Sequence, residues 1–296
     1  MSGWLVVNGF LQSTKFEDLY RLLIQAFQTH GVTLELHSGT DFTTPLGGDL
    51  LAARARTSSP DFVLFWDKDI ALAHRLEDAG LPVFNSADAI ACCDDKALTA
   101  RALVRHAVPT PQTIVIPKTF EGIGYPDVTF LQDAADSLGL PFVLKEACGS
   151  FGQQVHLVWT PAEALDILRR RSPAPFVMQA FVAASQGRDL RVNVVGDEVV
   201  AAMHRTNATD FRSNVTRGGQ TAPATPTAAQ CETALAACRA VGADFAGVDI
   251  LHGPDGEPLV CEVNSNPHFR STLDCTGVNL ADPIAAHVLR RLSEHP

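Results

Sequence analysis

FAGVDILHGPDGEPLVCEVN, residues 245–264, decides how this chain folds. Two apolar runs flank Gly-Pro-Asp-Gly, the pattern of a β-hairpin. A two-residue primed turn at Asp255-Gly256 sets Asp249 directly across from Glu262, and Gly247 across from Asn264. Pro254 could move that register by one through a bulge. In an extended strand Leu259, Cys261 and Val263 then share one face, while Val260, Glu262 and Asn264 share the other. Carboxylates that face each other across a sheet repel unless a cation lies between them. Asp, Glu and Asn offer oxygen donors only, which suits Mg²⁺ or Mn²⁺ and argues against Zn²⁺. A solvated face with chance acids competes with the metal reading, and the hairpin alone does not choose between them.

A bound metal-phosphate needs further groups, and three earlier stretches offer them. KEACGSFGQQV, 145–155, holds Lys145 at a strand end followed by Gly149, Ser150 and Gly152, a loop whose backbone N–H groups can approach an anion. It lacks the Gly-Lys-Ser/Thr of a P-loop, and a glycine pair in a hairpin is ordinarily only a turn. In DLRVNVV, 189–195, Asp189, Arg191 and Asn193 alternate onto one face, where a core-facing sheet would carry apolar groups. RTNATDFRSNVTRGG, 205–219, is an arginine-rich polar loop, with Arg205, Arg212 and Arg217 interleaved with Ser213 and Asn214. Such a loop can clamp phosphate or carboxylate, or simply lie in solvent. Lysine is scarce: Lys15, Lys68, Lys96, Lys118 and Lys145 complete the inventory. His204 has no nucleophile beside it in sequence, Cys148 has no evident histidine partner, and no Gly-x-Ser-x-Gly elbow occurs, so nucleophilic hydrolysis is disfavoured.

The 296 residues, 46% hydrophobic and 19% charged, are enough for about two soluble domains. A net charge of -10 gives no support for nucleic acid or an anionic membrane as partner. Seven cysteines without a CxxC pair read as reduced thiols, and a start without a basic, apolar leader reads as cytoplasmic. The first 90 residues alternate strand and helix, with a Thr14–Glu17 capping box opening a helix to about Thr29, which implies a small parallel α/β domain. From Asp94 onward come a helix carrying Lys96, a strand–glycine loop–strand unit, the 189–204 hairpin about Gly196-Asp197, a helix near 227–241, the opening hairpin and a closing helix.

In this order the pieces resemble the ATP-grasp superfamily, and within it the RimK-like carboxylate-amine ligases that add L-glutamate. DFRSNVTRGG and AGVDIL…LVCEVNSNP are similar to that family's nucleotide-contact loop and metal hairpin. The resemblance implies a pre-ATP-grasp domain over 1–90 and an ATP-grasp domain over 91–296, divided into a small lobe (91–182) and a large lobe (183–296). It implies that Asp249, Glu262 and Asn264 hold two divalent ions bridging the ATP phosphates, with Glu262 shared. Lys96 and Lys145 would contact phosphates beneath the closing loop of Gly149, Ser150 and Gly152. Gln179, Ala180 and Phe181 would grip adenine, through backbone atoms of Ala180 and Phe181. Asp189, Arg212, Ser213 and Asn214 would contact nucleotide, and Arg191 with Arg212 would serve the transferring phosphoryl group. Two positions depart from the family. Ala180 stands where a glutamate is frequent, and SNPHF replaces small residues and glycine after EVN, so that His268 and Phe269 are expected to border the acceptor pocket.

The implied reaction joins an amino acid, L-glutamate by the resemblance, to an amine of a peptide, protein or small molecule. It runs through an acyl phosphate and releases ADP and phosphate, without nucleic acid or membrane; homo-oligomer formation is left open. A small-molecule kinase and a non-catalytic nucleotide-binding regulator are the alternatives.

Overall fold

The protein is described from a computed structural model over residues 1–11, 13–48, 50, 59–149, 154–214 and 218–294. The chain opens with β1 (Ser2–Val7), α1 (Thr14–Thr29), β2 (Thr33–Ser38), β3 (Phe62–Trp66), α2 (Ile70–Asp78) and β4 (Val83–Phe84), followed by α3 (Ala87–Asp94) and α4 (Lys96–Arg105). Strands β1 to β4 form a parallel sheet in the order β2-β1-β3-β4. Both faces are covered, so β3 reads FVLFW and is buried along its whole length. Helix α1 lays Leu19, Tyr20, Leu23, Ala26 and Phe27 on the sheet. Its expected capping box is not formed. Helix α1 is preceded by Ser13, whose carbonyl already accepts the Glu17 N–H at 3.2 Å and leaves no donor there for the Thr14 hydroxyl. Asp95 breaks the chain between α3 and α4 and caps α4 by accepting from Ala97 N at 2.7 Å.

A second, antiparallel sheet in the order β5-β8-β6-β7 comes from β5 (Thr113–Val115), β6 (Phe142–Glu146), β7 (Val155–Val158) and β8 (Phe176–Ala180). Helices α5 (Thr129–Leu138) and α6 (Pro161–Arg171) pack on it around their own core of Ile116, Leu131, Phe142, Leu144, Leu168 and Met178. The third sheet, β11-β10-β9-β12-β13, contains β9 (Arg188–Val195), β10 (Glu198–Thr206), β11 (Gln220–Pro223), β12 (Phe245–His252) and β13 (Pro258–Asn264). Helices α7 (Ala228–Val241), α8 (Arg270–Thr276) and α9 (Ala281–Glu294) accompany it. The expected two-residue turn joins β9 to β10, pairing Val195 with Glu198. Helices α3, α5 and α8 and strand β11 add to the elements read from the sequence. No helix among the described residues is long and apolar enough to cross a membrane.

The opening hairpin reaches its expected pairing by an unexpected route. Asp249 faces Glu262 and Gly247 faces Asn264 as anticipated, yet beyond them Ile250 pairs with Val260 and His252 with Pro258. The connection is therefore a five-residue loop, closed by Gly253 N to Glu257 O at 2.8 Å, with Gly256 at φ +83°. The longer turn shifts the register by one, and a bulge at Cys261 shifts it back. That bulge also changes which residues face together. Val260 and Val263, not Val260 and Glu262, share a face and are fully buried against α7, while Glu262 and Asn264 look the other way.

The first and third sheets share a core, in which Leu5, Phe27 and Trp66 pack with Phe245, Phe269, Ile284 and Val288. Fully buried Asn85 pins this junction. Its amide nitrogen donates to Phe245 O (3.0 Å) and Ser265 O (2.7 Å), and its amide oxygen accepts from Asp244 N (2.6 Å) and Phe245 N (3.2 Å).

Candidate functional site

A cavity of about 870 Å³ lies where the three sheets meet. Each sheet gives it the polar residues that its alternation turns away from the cores. From β9 come Asp189 and Arg191, while Leu190, Val192 and Val194 face the opposite way into apolar packing. Asn193 continues the stripe, fully buried, donating to the Thr272 hydroxyl at 3.2 Å. From the hairpin come Asp249, Glu262 and Asn264, and from the second sheet Lys145, Gln179, Ala180 and Phe181. Lys96, Gly149, Arg212, Ser213 and Asn214 complete the expected set on the same walls. Ser150, Gly152 and Arg217 lie outside the described residues.

Most of the acids are already neutralised. Arg191 grips Asp249 in a bidentate pair, with Nη2 at 3.0 Å from Oδ2 and Nε on Oδ1. Arg205 bridges Asp249, at 2.9 Å, and Asp189, to which its Nε donates at 2.7 Å. Asp189 also accepts from the Ser213 hydroxyl at 2.6 Å, so its carboxylate anchors the RSN loop. Burial by itself would raise the Asp249 pKa, but Arg191 and Arg205 outweigh it and hold the carboxyl below its ordinary range. Burial likewise opposes charge on Arg205, and the carboxylates of Asp249 and Asp189 keep it ionised. Arg212 is forked onto Asp210, with Nε to Oδ1 at 2.9 Å and Nη2 to Oδ2 at 2.7 Å, and reaches across to Val155 O of β7 at 2.9 Å.

Lys145 and Glu262 are among the charged groups of this cavity that have no counterion among the described residues. The Lys145 ammonium is buried, with 7% of the residue exposed, and its partners are the neutral Gln179 Oε1 at 2.6 Å and Cys261 Sγ at 3.5 Å. Among the described residues Glu262 carries neither a hydrogen bond nor an ion pair. Lys96 adds a second ammonium, held near Ala147 O and Gly149 O at 3.5 and 3.3 Å. A buried cation facing neutral partners calls for an anion, and a carboxylate placed opposite Asp249 calls for a cation.

The metal-ligand expectation fits this arrangement. Asn264 donates its Nδ2 to Gly247 O at 3.2 Å, and because a carbonyl can only accept, the amide oxygen is the atom left for a ligand. Asp249, Glu262 and Asn264 thus present oxygen donors alone. Two carboxylates and an amide suit an ion that keeps water and phosphate in its shell. For Asp249 to join, Arg191 must yield part of its grip.

One expectation is narrowed and one needs correction. The Ala180 N–H already donates to Gln112 O at 2.9 Å, because β8 continues its pairing to that point, so a backbone grip on adenine cannot use it. Phe269 does not border the cavity; it is 1% exposed and meets Trp66 edge-on at 6.1 Å in the shared core. His268 does line the cavity, edge-on to Phe16 at 5.4 Å. Asn8, Tyr20, Trp66 and Asp67, from the parallel sheet and α1, were not singled out from the sequence and form the wall beside His268. The signal available for Asn8, Trp66 and Asp67 was their place at the carboxyl ends of parallel strands, where α/β sheets put ligands.

Comparison with known proteins agrees with this architecture. A crystal structure of a RimK domain protein ATP-grasp from Sphaerobacter thermophilus matches 97% of this chain and 99% of its own at TM-score 0.71 and 22% identity. The fold is therefore that of the ATP-grasp proteins. Residues 93–288 match the RimK-like ATP-grasp domain. The ribosomal protein bS6–L-glutamate ligase of Escherichia fergusonii is 36% identical over 76% of this chain and 72% of its own. The human N-acetylaspartylglutamate synthase A is 32% identical over 84% of this chain and 66% of its own length. The chain belongs to the RimK-like ATP-grasp family, and by class it is an ATP-dependent, ADP-forming carboxylate-amine ligase.

Proposed function

We propose that the protein activates a substrate carboxylate with ATP and joins it to an amine, one of the two substrates being an amino acid. L-Glutamate is the amino acid carried in the relatives' names. The observation that supports this most is the pairing of two uncompensated charges in one cavity, the buried Lys145 ammonium and the Glu262 carboxylate. An ATP phosphate would answer the first, and a divalent ion held by Glu262 would answer the second.

In this reading Lys96 and Lys145 bind phosphates, and Gln179, Ala180, Phe181, Asp189, Ser213 and Asn214 line the nucleotide. Asp249, Glu262 and Asn264 would hold Mg²⁺ or Mn²⁺, which when bound would supply positive charge to the transferring phosphoryl group. Arg191, once drawn from Asp249 toward phosphate, and Arg212 steady the same oxygens. The substrate carboxylate attacks the γ-phosphorus and ADP departs. The amine then attacks the acyl carbon of the acyl phosphate, inorganic phosphate leaves, and the nitrogen sheds a proton. Little acid–base machinery is required, in keeping with a cavity richer in charge clamps than in histidines.

The test is to incubate purified protein with ATP, Mg²⁺ and a panel of amino acids and carboxylate or amine partners. A condensed mass, with one ADP and one free phosphate per bond, is expected. Phosphate retained on the product would replace the ligase reading with a kinase, and absence of both ADP and product across the panel would end it.

A further inference from the structure

The wall contributed by the first domain contains a corner with hydrogen-bond acceptors left unsatisfied. Asn8 follows β1 and Asp67 follows β3, and Val7 pairs with Trp66, so the two side chains emerge side by side at the carboxyl edge of the parallel sheet. Asn8 Nδ2 donates to Asp67 Oδ1 at 3.2 Å, and the Lys68 N–H donates to the same oxygen at 2.7 Å. The Asn8 amide oxygen accepts from Phe10 N at 2.9 Å, which fixes the orientation of that amide. Asn266, just past β13, closes the corner from the other domain by donating Nδ2 to the Asp67 carbonyl at 2.8 Å. A carbonyl cannot donate, so the Asn266 orientation is fixed as well.

The amide nitrogens of Asn8 and Asn266 each donate within the corner, and two acceptors are left over. Asn266 Oδ1 is buried and accepts no hydrogen bond among the described residues. Asp67 Oδ2 likewise has no donor among them. The Asp67 carboxylate is partly desolvated with no cation set against it: burial pushes its pKa up, and the ammonium of adjacent Lys68 is turned to Asp94. Tyr20 stands beside it as a neutral phenol, its pKa pushed up to about 12 by burial and then by the Asp67 charge. A buried acceptor without a donor, Asn266 Oδ1, is costly, as is a partly desolvated carboxylate without a counterion, and a ligand that brings N–H groups and positive charge removes both costs. All of these residues line the same cavity as the metal hairpin, and Asn266 is two positions beyond Asn264.

We infer that the corner formed by Asp67 Oδ2 and Asn266 Oδ1 binds the primary amine of the nucleophilic substrate. This deepens the ligase reading and rests on it. An ammonium supplies three donors and a charge, enough for both acceptors, whereas a carboxylate or phosphate would be repelled here. Selection for an amine thus falls to the first domain, and selection for phosphate to Lys96 and Lys145 across the cavity. Asn8 acts as a positioning residue, holding the Asp67 carboxylate with one oxygen turned away from itself.

The experiment is calorimetric titration of the full chain, saturated with ADP and Mg²⁺, with common L-amino acids and simple alkylamines, L-glutamate first. The tightest-binding amine is then compared with its hydroxyl analogue, which for an amino acid is the corresponding 2-hydroxy acid. Asp67→Asn keeps the shape and both donors to Oδ1 while removing the charge, and is expected to weaken that amine about tenfold or more. It should leave ADP affinity unchanged, and the hydroxyl analogue should bind wild type as poorly as the variant binds the amine. The assignment is overturned if no amine binds the wild type although ADP does, if Asp67→Asn binds it equally well, or if the hydroxyl analogue matches the amine. The analogue comparison uses wild type alone and so stands even if the variant does not fold. Loss of ADP–Mg²⁺ binding by the wild type would sink the ligase reading itself, a different outcome.

Discussion

Replacing Asp249 and Glu262 separately by their amides distinguishes a metal ligand that also holds the fold from one that does not. Asp249 is 4% exposed and lies between Arg191 and Arg205, both of whose guanidinium groups contact it. Removing one partner of a buried ion pair costs roughly 3–5 kcal/mol, and the lower end applies here because Arg205 keeps Asp189. At about 3 kcal/mol, Asp249→Asn should lower Tm by about 6–12 °C in metal-free buffer. Glu262 has no partner to lose, and its amide relieves like-charge repulsion across the hairpin. Glu262→Gln should therefore stay within about 0.5 kcal/mol of wild type or gain slightly. Both variants should lose Mg²⁺-dependent ADP release. Scanning calorimetry in EDTA and an ADP assay read the two effects independently. Equal Tm values for the two variants would refute the buried ion-pair argument. Undiminished Mg²⁺-dependent turnover in Glu262→Gln would refute the metal assignment.

Other consequences follow from the same geometry. Because Asp249 titrates below its unfolded value of about 3.9, the folded state holds it ionised while the unfolded state takes up a proton; stability should fall with pH below about 4, and less steeply in Asp249→Asn, as acid unfolding monitored by circular dichroism would reveal. Lys145→Ala should weaken ATP binding about tenfold or more with little change in fold, and an unaltered dissociation constant would count against the phosphate role. Asn85→Ala orphans backbone groups on β12 and after β13, and should cost about 3 kcal/mol or more in urea unfolding; a loss under about 1 kcal/mol would mean that the junction does not depend on it.

The sequence carried the chemistry of the site further than its geometry. Alternation alone put Asp189, Arg191 and Asn193 on one face, and hairpin pairing put Asp249 opposite Glu262, since both follow from the period of a strand. That Arg191 and Arg205 turn onto Asp249 was not legible, because it depends on β9 lying between β10 and β12, and strand order is a tertiary fact. The Cys261 bulge was hidden for a related reason: Pro254 warned of a register shift, but only packing of Val260 and Val263 against α7 decides where the shift is absorbed. Asp67 and Asn266 are distant in sequence and carry no spacing pattern, so their meeting appears only once the first and third sheets pack together. Phe269 was misread because a residue following a site strand can turn inward as readily as outward.

The bulge at Cys261 has a further consequence, for how this hairpin tolerates change. It lies between the turn and the site, so pairing on the turn side has a phase of its own, independent of the pairing that aligns Asp249 with Glu262. Residues 254–256 are exposed, and peptide grafted there should leave the ligand oxygens where they are. Deleting Cys261 would do the opposite. With the extra residue gone, strand alternation would turn one of Val260 and Val263 out of the core or drive Glu262 into it. One unpaired residue thus insulates the site from length variation at the hairpin tip, and it marks that tip as the place to attach a label without disturbing the chemistry below.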